Sequence, residues 1–524
     1  MNRKWCLLLL LILLFASCRT QRLTKYSDRN KLYTPAELKQ DVDFAVNVLK
    51  ERHPDVYMYI SEKELNDKTD SIKNLITEPM TARKFYTLLA PVYHSIACIH
   101  STVSMPQYKF TKAQKDSLKQ ADENRAITQL QFLYQDEKLF VIGTKNKKVE
   151  AVKGVELLHI EKHSVSELLK IFLKHSPRDG YNTTFPELFV SDNFLHLYHL
   201  YYGLKDTMQL QFSYRDSVFT KYYSKIDKED SIKVTTSNTK KAKPEKVKKK
   251  KEKVARDPYV YRGKDEKGNY ILDFKFLDSL HKTAYMKISS FSTLKSNFSK
   301  FYRVTFDSLQ NQSTENLIMD LRGNKGGFIL RPIKLYRYLT DTSFIFLQPA
   351  LSAGKHNPAT YNKGVTGFLQ RITNGIVLLF AAKKNDNGQY YRKIYGTKPV
   401  KPYKNNYGNK LYVITDGFTA SAASLLAANL KGNNRAEVFG EETGGGANVC
   451  FAGQYTQAAT PNTNLHFRVG MYAIVPLVQQ PVQGRGVLPD ERIKRTVADV
   501  INKKDPALDR LTEQLLPAKN ELKQ

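Results

Sequence analysis

Cysteine is scarce in this chain of 524 residues, which has four. Beyond Cys18 only Cys98 and Cys450 remain. No CxxC motif or His/Cys cluster has the spacing of metal ligands, so the sequence indicates neither a metal site nor a cofactor. If the chain is exported to an oxidising compartment, Cys98 and Cys450 can pair in a disulfide.

The apolar run at the N-terminus, Trp5–Phe15, is too short to span a bilayer as a mature helix. Basic residues precede it and Ala16-Ser17-Cys18 follows it, so residues 1–17 are predicted to be an export signal. The cleavage site resembles that of bacterial lipoproteins, in which the cysteine is acylated. We therefore expect a protein anchored through Cys18 in the cell envelope and facing the periplasm. An ordinary cleaved signal peptide is the alternative.

Acidic residues are few: 51 Asp and Glu stand against 82 Lys and Arg, a formal net charge of +31. Lys240–Arg256 contributes ten basic and two acidic residues. This run lacks aromatic residues and apolar periodicity, so residues 236–257 are predicted to be a solvated, disordered insertion. Attraction to anionic lipid or envelope polymer is favoured for an exported chain, and no nucleic-acid partner is expected.

The apolar patterns divide the chain into three blocks after a linker of residues 18–34. Residues 35–115 contain helical patterns, PAELKQDVDFAVNVLKERHP and TARKFYTLLAPVYHSI, with apolar residues at three- and four-residue steps. Residues 125–235 combine strands such as KLFVIGT with an amphipathic helix that follows Ser164, a plausible N-cap. Residues 258–515 alternate strands (TAYMKISSF, NLIMDL, LYVIT, AEVFGEE) with helices. The predicted fold class is α/β and multi-domain.

A strand followed at once by a helix places Ser421 at a turn. In Leu411–Ala428, LYVITDGFTASAASLLAA, a β-branched apolar run stops at Asp416-Gly417, and an Ala/Leu-rich helical run follows Ser421. The first N–H groups of a helix have no partner inside it, so they suit a developing oxyanion. The pattern favours Ser421 as a nucleophile. An ordinary serine N-cap is the alternative.

A second apolar strand ends in a glycine turn, in Asn316–Gly327, NLIMDLRGNKGG. We expect this turn to open at the same sheet edge as the serine turn. Gly326 and Gly327 let the backbone approach a bound peptide and offer an N–H to an anionic oxygen. The N–H groups of Ala422 and of Gly326 or Gly327 are therefore the candidate oxyanion hole.

These two segments, in this order, resemble the tail-specific (C-terminal processing) serine peptidases, which include the tricorn core protease and the retinoid-binding repeats. The resemblance continues through GEETGGGAN (440–448) and GRGVLPD (484–490), and it reaches back to HPDVYMY (53–59) and IACIHSTVSM (96–105). It implies an α/β peptidase core of the ClpP/crotonase-like type. It also implies that residues 125–235 form a degenerate PDZ-like module, for which a simple α/β packing domain is the alternative.

The resemblance also implies a base for the serine. Many family members use a lysine in the glycine loop, but no lysine occurs between Ala436 and Phe451. The tricorn-like branch uses an N-terminal histidine, and His100 stands at that position. Imidazole suits the role because its pKa lies near working pH. In that branch an acid orients the histidine, and the uncharged Gln483 stands at its position here. Glu441, Glu442 and Asp490 are the alternative sources of the charge.

The sequence thus predicts a membrane-anchored serine endopeptidase that cleaves exported polypeptides through an acyl-enzyme on Ser421. A catalytically silent peptide- or ligand-binding lipoprotein is the alternative from another class, and a basic envelope-tethering protein is a third. If the loops that carry Cys98 and Cys450 line one cleft, their sulfurs lie within disulfide range. Two buried, unpaired thiols are the alternative.

Overall fold

The computed structural model describes residues 23–145, 149–226, 257–361, 370–372, 374, 383–479 and 482–516. The predicted signal peptide with Cys18, and residues 236–256 of the predicted Lys-rich insertion, lie outside these ranges. No helix among the described residues has the length and apolar character needed to cross a membrane.

The N-terminal block is mainly helical. Its helices are α1 (Pro35–Arg52), α2 (Glu62–Leu75), α3 (Ala82–His94) and α4 (Lys112–Asn124), and its short strands are β1 (Thr24–Lys25), β2 (Leu32–Tyr33), β3 (Met80–Thr81), β4 (Thr102–Ser104) and β5 (Tyr108–Lys109). Helix α1 begins after a capping box in which the Thr34 side chain accepts from the Glu37 N–H and the Glu37 side chain accepts from the Thr34 N–H. The two helices that periodicity predicts are α1 and α3.

The middle block is an antiparallel sheet covered by two helices. It comprises β6 (Leu130–Gln135), β7 (Lys138–Thr144), β8 (Glu156–Ile160), β9 (His163–Ser164), α5 (Val165–His175), α6 (Thr184–Tyr202), β10 (Met208–Tyr214) and β11 (Ser217–Tyr223). The strand order is β11-β10-β8-β7-β6, with β9 paired to β8. Ser164 precedes α5 as expected, but its side chain makes no capping hydrogen bond. The PDZ likeness and the domain boundaries stay predictions.

The third block is built on a mostly parallel sheet. Its elements up to the serine turn are β12 (Leu272–Phe276), β13 (Thr283–Ile288), α7 (Phe298–Asn311), β14 (Asn316–Asp320), α8 (Leu330–Leu339), β15 (Ala350–Ser352), β16 (Lys383–Lys384), β17 (Tyr390–Arg392) and β18 (Lys410–Thr415). After that turn come α9 (Ala422–Gly432), β19 (Glu437–Gly440), β20 (Cys450–Ala459), β21 (His466–Ile474), β22 (Glu491–Arg492), α10 (Val497–Ile501) and α11 (Pro506–Leu515). The order β12-β13-β14-β18-β19-β22 is parallel except for β12.

This sheet is buried on both faces. Leu317, Met319 and Val413 point to a large core shared with the helices α7, α8 and α9. Ile318 and Ile414 point to the other face, where they contact a smaller cluster that includes Leu511 of α11. Burial on both faces explains why the strands are continuous apolar runs without alternation. The predicted α/β fold class is confirmed.

A second, antiparallel sheet joins the N-terminal block to the core. Its order is β16-β17-β15-β21-β20, and β4 of the N-terminal block pairs antiparallel with β21 through Phe467↔Val103 and Arg468↔Thr102. The apolar cluster of the N-terminal block therefore extends into this sheet, where Phe451 and Phe467 are buried. This pairing fixes the segment just before β4 against the core.

Candidate active site

Ser421 occupies the turn between β18 and α9, as the sequence predicts. Its backbone φ of 56° lies in the left-handed region, which is costly for a residue other than glycine. Hydrogen bonds hold the turn on both sides: the Ala420 N–H donates to the Asn324 carbonyl, and the Gly445 N–H donates to the Thr419 carbonyl. The side chain is partly exposed and makes no capping bond to α9, so its hydroxyl is available for chemistry.

The glycine turn after β14 lies against Ser421. A Cβ on Gly326 would stand 2.6 Å from the Ser421 Cβ, so only glycine fits there. The Gly326 N–H donates to the Asn324 side chain at 3.0 Å. In the described part of the chain the N–H groups of Gly327 and Ala422 donate to no other group. Of the predicted oxyanion donors, Ala422 and Gly327 are therefore free, whereas Gly326 is engaged.

A buried ion network anchors the same turn. The Asp320 carboxylate at the end of β14 accepts from Arg322, from Lys287 at 2.9 Å and from the Tyr285 hydroxyl at 2.7 Å. Arg322 also binds Asp505, the N-cap residue of α11. Burial alone would raise the pKa of Asp320, but the bonds and charges of Arg322 and Lys287 hold it well below its usual range. Asp320 is therefore charged at neutral pH.

His100 approaches from the N-terminal block. It lies two residues before β4, so the pairing of β4 with β21 positions its loop, and Arg468 of β21 donates to the His100 carbonyl at 3.4 Å. The ring is 6 % exposed. Burial, reinforced by the charge of Arg468, lowers the pKa of His100 to about 3. The imidazole is neutral at pH 7, which is the form a general base requires.

Asp179 is an acid that the sequence interpretation missed. It is buried, and its carboxylate accepts from the Ile99 N–H at 2.8 Å and from the Gly446 N–H at 3.2 Å. It thereby bridges the His100 loop and the glycine loop. Its carboxylate, a ring nitrogen of His100 and the Cys98 sulfur lie within 4.8 Å of one another. Burial raises the pKa of Asp179 to about 7, against the lowering effect of the two N–H donors. No local motif marks Asp179.

Cys450, the first residue of β20, lies between the serine and the histidine. Its sulfur is 3.8 Å from the Ser421 Oγ and 3.9 and 3.8 Å from Nδ1 and Nε2 of His100. The Cys450 thiol thus contacts both Ser421 and His100. In this structure Cys98 and Cys450 are buried free thiols, which is the alternative to the possible disulfide between them. Burial raises the pKa of each thiol, that of Cys98 to about 12, so both are protonated at pH 7.

The two predicted orienting residues serve other purposes. Glu442 forms a two-pronged ion pair with Arg485 and accepts from the Gly486 N–H at 2.7 Å, so it holds the GRGV turn. Gln483 accepts from the Asn448 side chain at 2.9 Å and is exposed. The carboxylate oxygens of Glu442 and the amide oxygen of Gln483 are therefore hydrogen-bonded to other groups. The acid beside His100 is Asp179 instead.

Lys431 is also committed elsewhere. Its ammonium binds the Asp490 carboxylate and the Leu488 carbonyl, each at 2.7 Å. The prediction that histidine rather than lysine serves as base is consistent with this geometry.

The site has features that serine hydrolases use: a strained serine at a strand-to-helix turn, free N–H groups beside it and a buried histidine. Residues 282–493 match the model of Peptidase family S41, so this stretch is an S41 serine peptidase domain. No curated protein matches the chain.

The chain is similar in fold to solved structures at low sequence identity. The chain resembles mature CPAF complexed with lactacystin, with a TM-score of 0.59 and 14 % identity over 92 % of this chain and 98 % of that one. A second structure of mature CPAF gives a TM-score of 0.54 at 14 % identity over 91 % and 97 %. The photosystem II D1 C-terminal processing protease gives 0.38 at 14 % identity over 89 % and 97 %. The CPAF likenesses support the same fold along nearly the whole chain.

Proposed function

We propose that this protein is a serine endopeptidase, of the carboxy-terminal processing type, which hydrolyses peptide bonds of exported polypeptides. Ser421 attacks the scissile carbonyl, and His100 takes its proton and returns it to the leaving amine. The N–H groups of Ala422 and Gly327 bind the oxyanion of the tetrahedral intermediate. Water then hydrolyses the acyl-enzyme by the same base.

The observation that carries this proposal is the strained backbone of Ser421 beside two free N–H groups. Strain at a buried turn costs about 1–3 kcal/mol and persists where the surroundings impose it. Here Gly326 and Gly445 pack so closely that a Cβ on either would collide with the Ser421 turn. Such an arrangement exposes a hydroxyl while keeping donors next to it, which a simple N-cap does not need.

The acid beside the base is Asp179 in this mechanism. It has two backbone N–H donors and lies within reach of the His100 ring. An ionised Asp179 would stabilise the imidazolium that forms when Ser421 loses its proton. Substrate binding is then required to shift Cys450 and bring the serine oxygen to within about 2.6–3.2 Å of the imidazole, since such bonds often tighten only in the complex.

We expect Ser421→Ala to abolish covalent labelling by a fluorophosphonate probe while leaving the thermal unfolding temperature within a few degrees of wild type. The change removes one partly exposed oxygen and leaves the turn packing in place. In-gel fluorescence measures the labelling. Ser424→Ala is the matched control, because the Ser424 hydroxyl donates to the Ser421 carbonyl one turn further on and is fully buried. Labelling of the Ser421→Ala variant at the wild-type level would refute the assignment.

A catalytically silent binding protein is the second candidate, and one observation favours it. The Cys450 sulfur occupies the space between Ser421 and His100, and in the described residues the two side chains make no direct hydrogen bond. Under this alternative the cleft binds a peptide without cleaving it. Wild-type protein that binds a peptide but is not labelled by the probe would support it.

We further propose that residues 1–17 are removed and that Cys18 carries the lipid that anchors the protein in the envelope, facing the periplasm. The supporting observation is the basic start, the short apolar run and the small residues before Cys18. The basic surface of the remaining chain would add attraction to anionic lipid.

Cys18→Ser should move the protein into the soluble fraction or leave it as uncleaved precursor, because acylation requires the thiol. Membrane fractionation followed by immunoblotting measures the partition, and intact mass identifies the N-terminus. Cys98→Ser, which alters a buried thiol of the body, serves as the control and should stay in the membrane. Unchanged membrane partition of Cys18→Ser with a mature N-terminus elsewhere would contradict the anchor.

A further inference from the structure

Three potential metal ligands of different chemistry meet beside the serine. One ligand atom each of Cys98, His100 and Asp179 lies within 4.8 Å of the other two. The three residues are between 0 % and 6 % exposed. Asp179 carries no Lys or Arg partner in the described part of the chain; its oxygens accept only from backbone N–H groups. A buried carboxylate without a cation is costly, and a bound cation would remove that cost.

The donor set selects the metal. A thiolate, an imidazole and a carboxylate form a mixed S, N, O set that suits Zn²⁺, whereas Mg²⁺ and Ca²⁺ prefer oxygen alone. Zn–S distances of about 2.3 Å and Zn–N distances of about 2.0–2.1 Å put tetrahedral ligands roughly 3.5 Å apart. Three donors inside 4.8 Å therefore need to move by less than about 1 Å each to close on the ion.

We propose that Cys98, His100 and Asp179 form a Zn²⁺-binding site that shuts off the serine centre reversibly. Three protein ligands leave the fourth tetrahedral position to water. The Cys98 thiol releases its proton to solvent on binding, so the ion is matched by two negative ligands. A neutral set of ion and ligands reduces the repulsion that a bound cation would feel from the Arg468 guanidinium, which donates to the His100 carbonyl.

Zinc and catalysis exclude one another at this position. His100 is the proposed base, and a ring nitrogen bound to zinc can no longer accept the serine proton. An Asp179 carboxylate that binds zinc can likewise no longer stabilise the imidazolium of His100. Inhibition thus rests on the proposed peptidase function, but the binding of the ion does not. The spacing rules failed to detect the site because Asp179 lies 80 residues from the Ile99 loop it contacts.

Cobalt reports on the site directly. Co²⁺ replaces Zn²⁺ in tetrahedral sites, and a thiolate ligand gives it a sulfur-to-metal charge-transfer absorption. We expect the full-length chain and Ser421→Ala to bind one Co²⁺ with this absorption, and added Zn²⁺ to bleach it. Cys98→Ser should lose the absorption. Cys450→Ser is the matched control, a second buried thiol outside the three-donor cluster, and should keep it.

Zinc inhibition is measured in the same preparations. One equivalent of Zn²⁺ should lower fluorophosphonate labelling of wild type at least tenfold, and EDTA should restore it. Zinc should have less than a twofold effect on the labelling of Cys98→Ser relative to that variant's own zinc-free rate. Circular dichroism verifies that Cys98→Ser is folded, and Cys98→Ala serves if it is not.

The outcomes separate the two proposals. Absence of the charge-transfer absorption in wild type, or its loss in Cys450→Ser but not in Cys98→Ser, overturns the zinc site even where labelling proceeds. Stoichiometric cobalt binding, with no labelling of wild type after EDTA has removed the metal, retains the metal site and refutes the peptidase. Zinc that binds without slowing the labelling overturns the reversible shut-off.

Discussion

His100→Ala is expected to lower the rate of peptide hydrolysis by about 10⁴- to 10⁶-fold, the range found when one member of a serine hydrolase's catalytic group is removed. The serine hydroxyl is a weak nucleophile without a base. His100 has a pKa of about 3, so it is a neutral acceptor over the whole range in which such an assay runs. The measurement is kcat on a fluorogenic peptide library, supported by the rate of fluorophosphonate labelling.

Two controls test whether the loss is specific. Lys431→Met should cost less than about tenfold, because Lys431 pairs with Asp490 and contacts the Leu488 carbonyl. His281→Gln changes a histidine in the turn that precedes β13, at the sheet edge opposite the serine turn, where its ring stacks on Phe276. A loss of activity in Lys431→Met that exceeds the loss in His100→Ala would assign the chemistry to a serine–lysine mechanism.

Asp320→Asn is expected to destabilise the core by about 3–5 kcal/mol, because removing one partner of a buried ion network leaves the other charges uncompensated. The carboxylate is 0 % exposed and faces both Lys287 and Arg322. The unfolding temperature of the core should fall by about 10 °C. The glycine turn follows Asp320 directly, so labelling of Ser421 should fall with it. Differential scanning calorimetry measures the first effect.

The exposed pair of Lys282 and Glu315 provides the control for Asp320→Asn. Its side chains are 45 % and 61 % exposed, so Glu315→Gln should change the free energy of unfolding by less than about 1 kcal/mol. Equal effects of the two substitutions would contradict the role assigned to the buried network.

The stability from Asp320 depends on pH with a definite sign. Its folded pKa lies below the unfolded value of about 3.9, so the contribution is present above that value and is lost as pH falls toward the folded pKa. The difference in stability between wild type and Asp320→Asn should therefore shrink below about pH 4.

The strands and turns of the core could be predicted from sequence because their signals are local. NLIMDL and LYVIT are apolar runs of the length that a strand buried on both faces requires, and each ends in residues that suit a turn. Ser421 and the glycines follow from the same pattern. Helix α2 was not predicted, because it has few buried residues to form an apolar repeat. These are Leu65, Thr69 and Ile72.

The remainder of the site could not be predicted because it depends on tertiary contacts. His100 was identified only through a family resemblance, since one histidine in a loop carries no local signal. Asp179 lies in a turn that contacts the His100 loop and the glycine loop. No local sequence pattern around Asp179 predicts either contact. The same holds for Cys450, whose position between two side chains follows from the register of β20 on β21.

The addition of β4 to the edge of β21 has a consequence for how the protein is made. The strand pairs Val103 with Phe467, so the loop that carries His100 takes its position only after β21 has been synthesised. On the proposed mechanism, Ser421 lacks its base until then. For the same reason the stretch 282–493, cut out by the limits of the family match, would carry Ser421 with neither His100 nor Asp179. The order of the elements along the chain thus delays the assembly of the proposed catalytic pair until β21 has been synthesised.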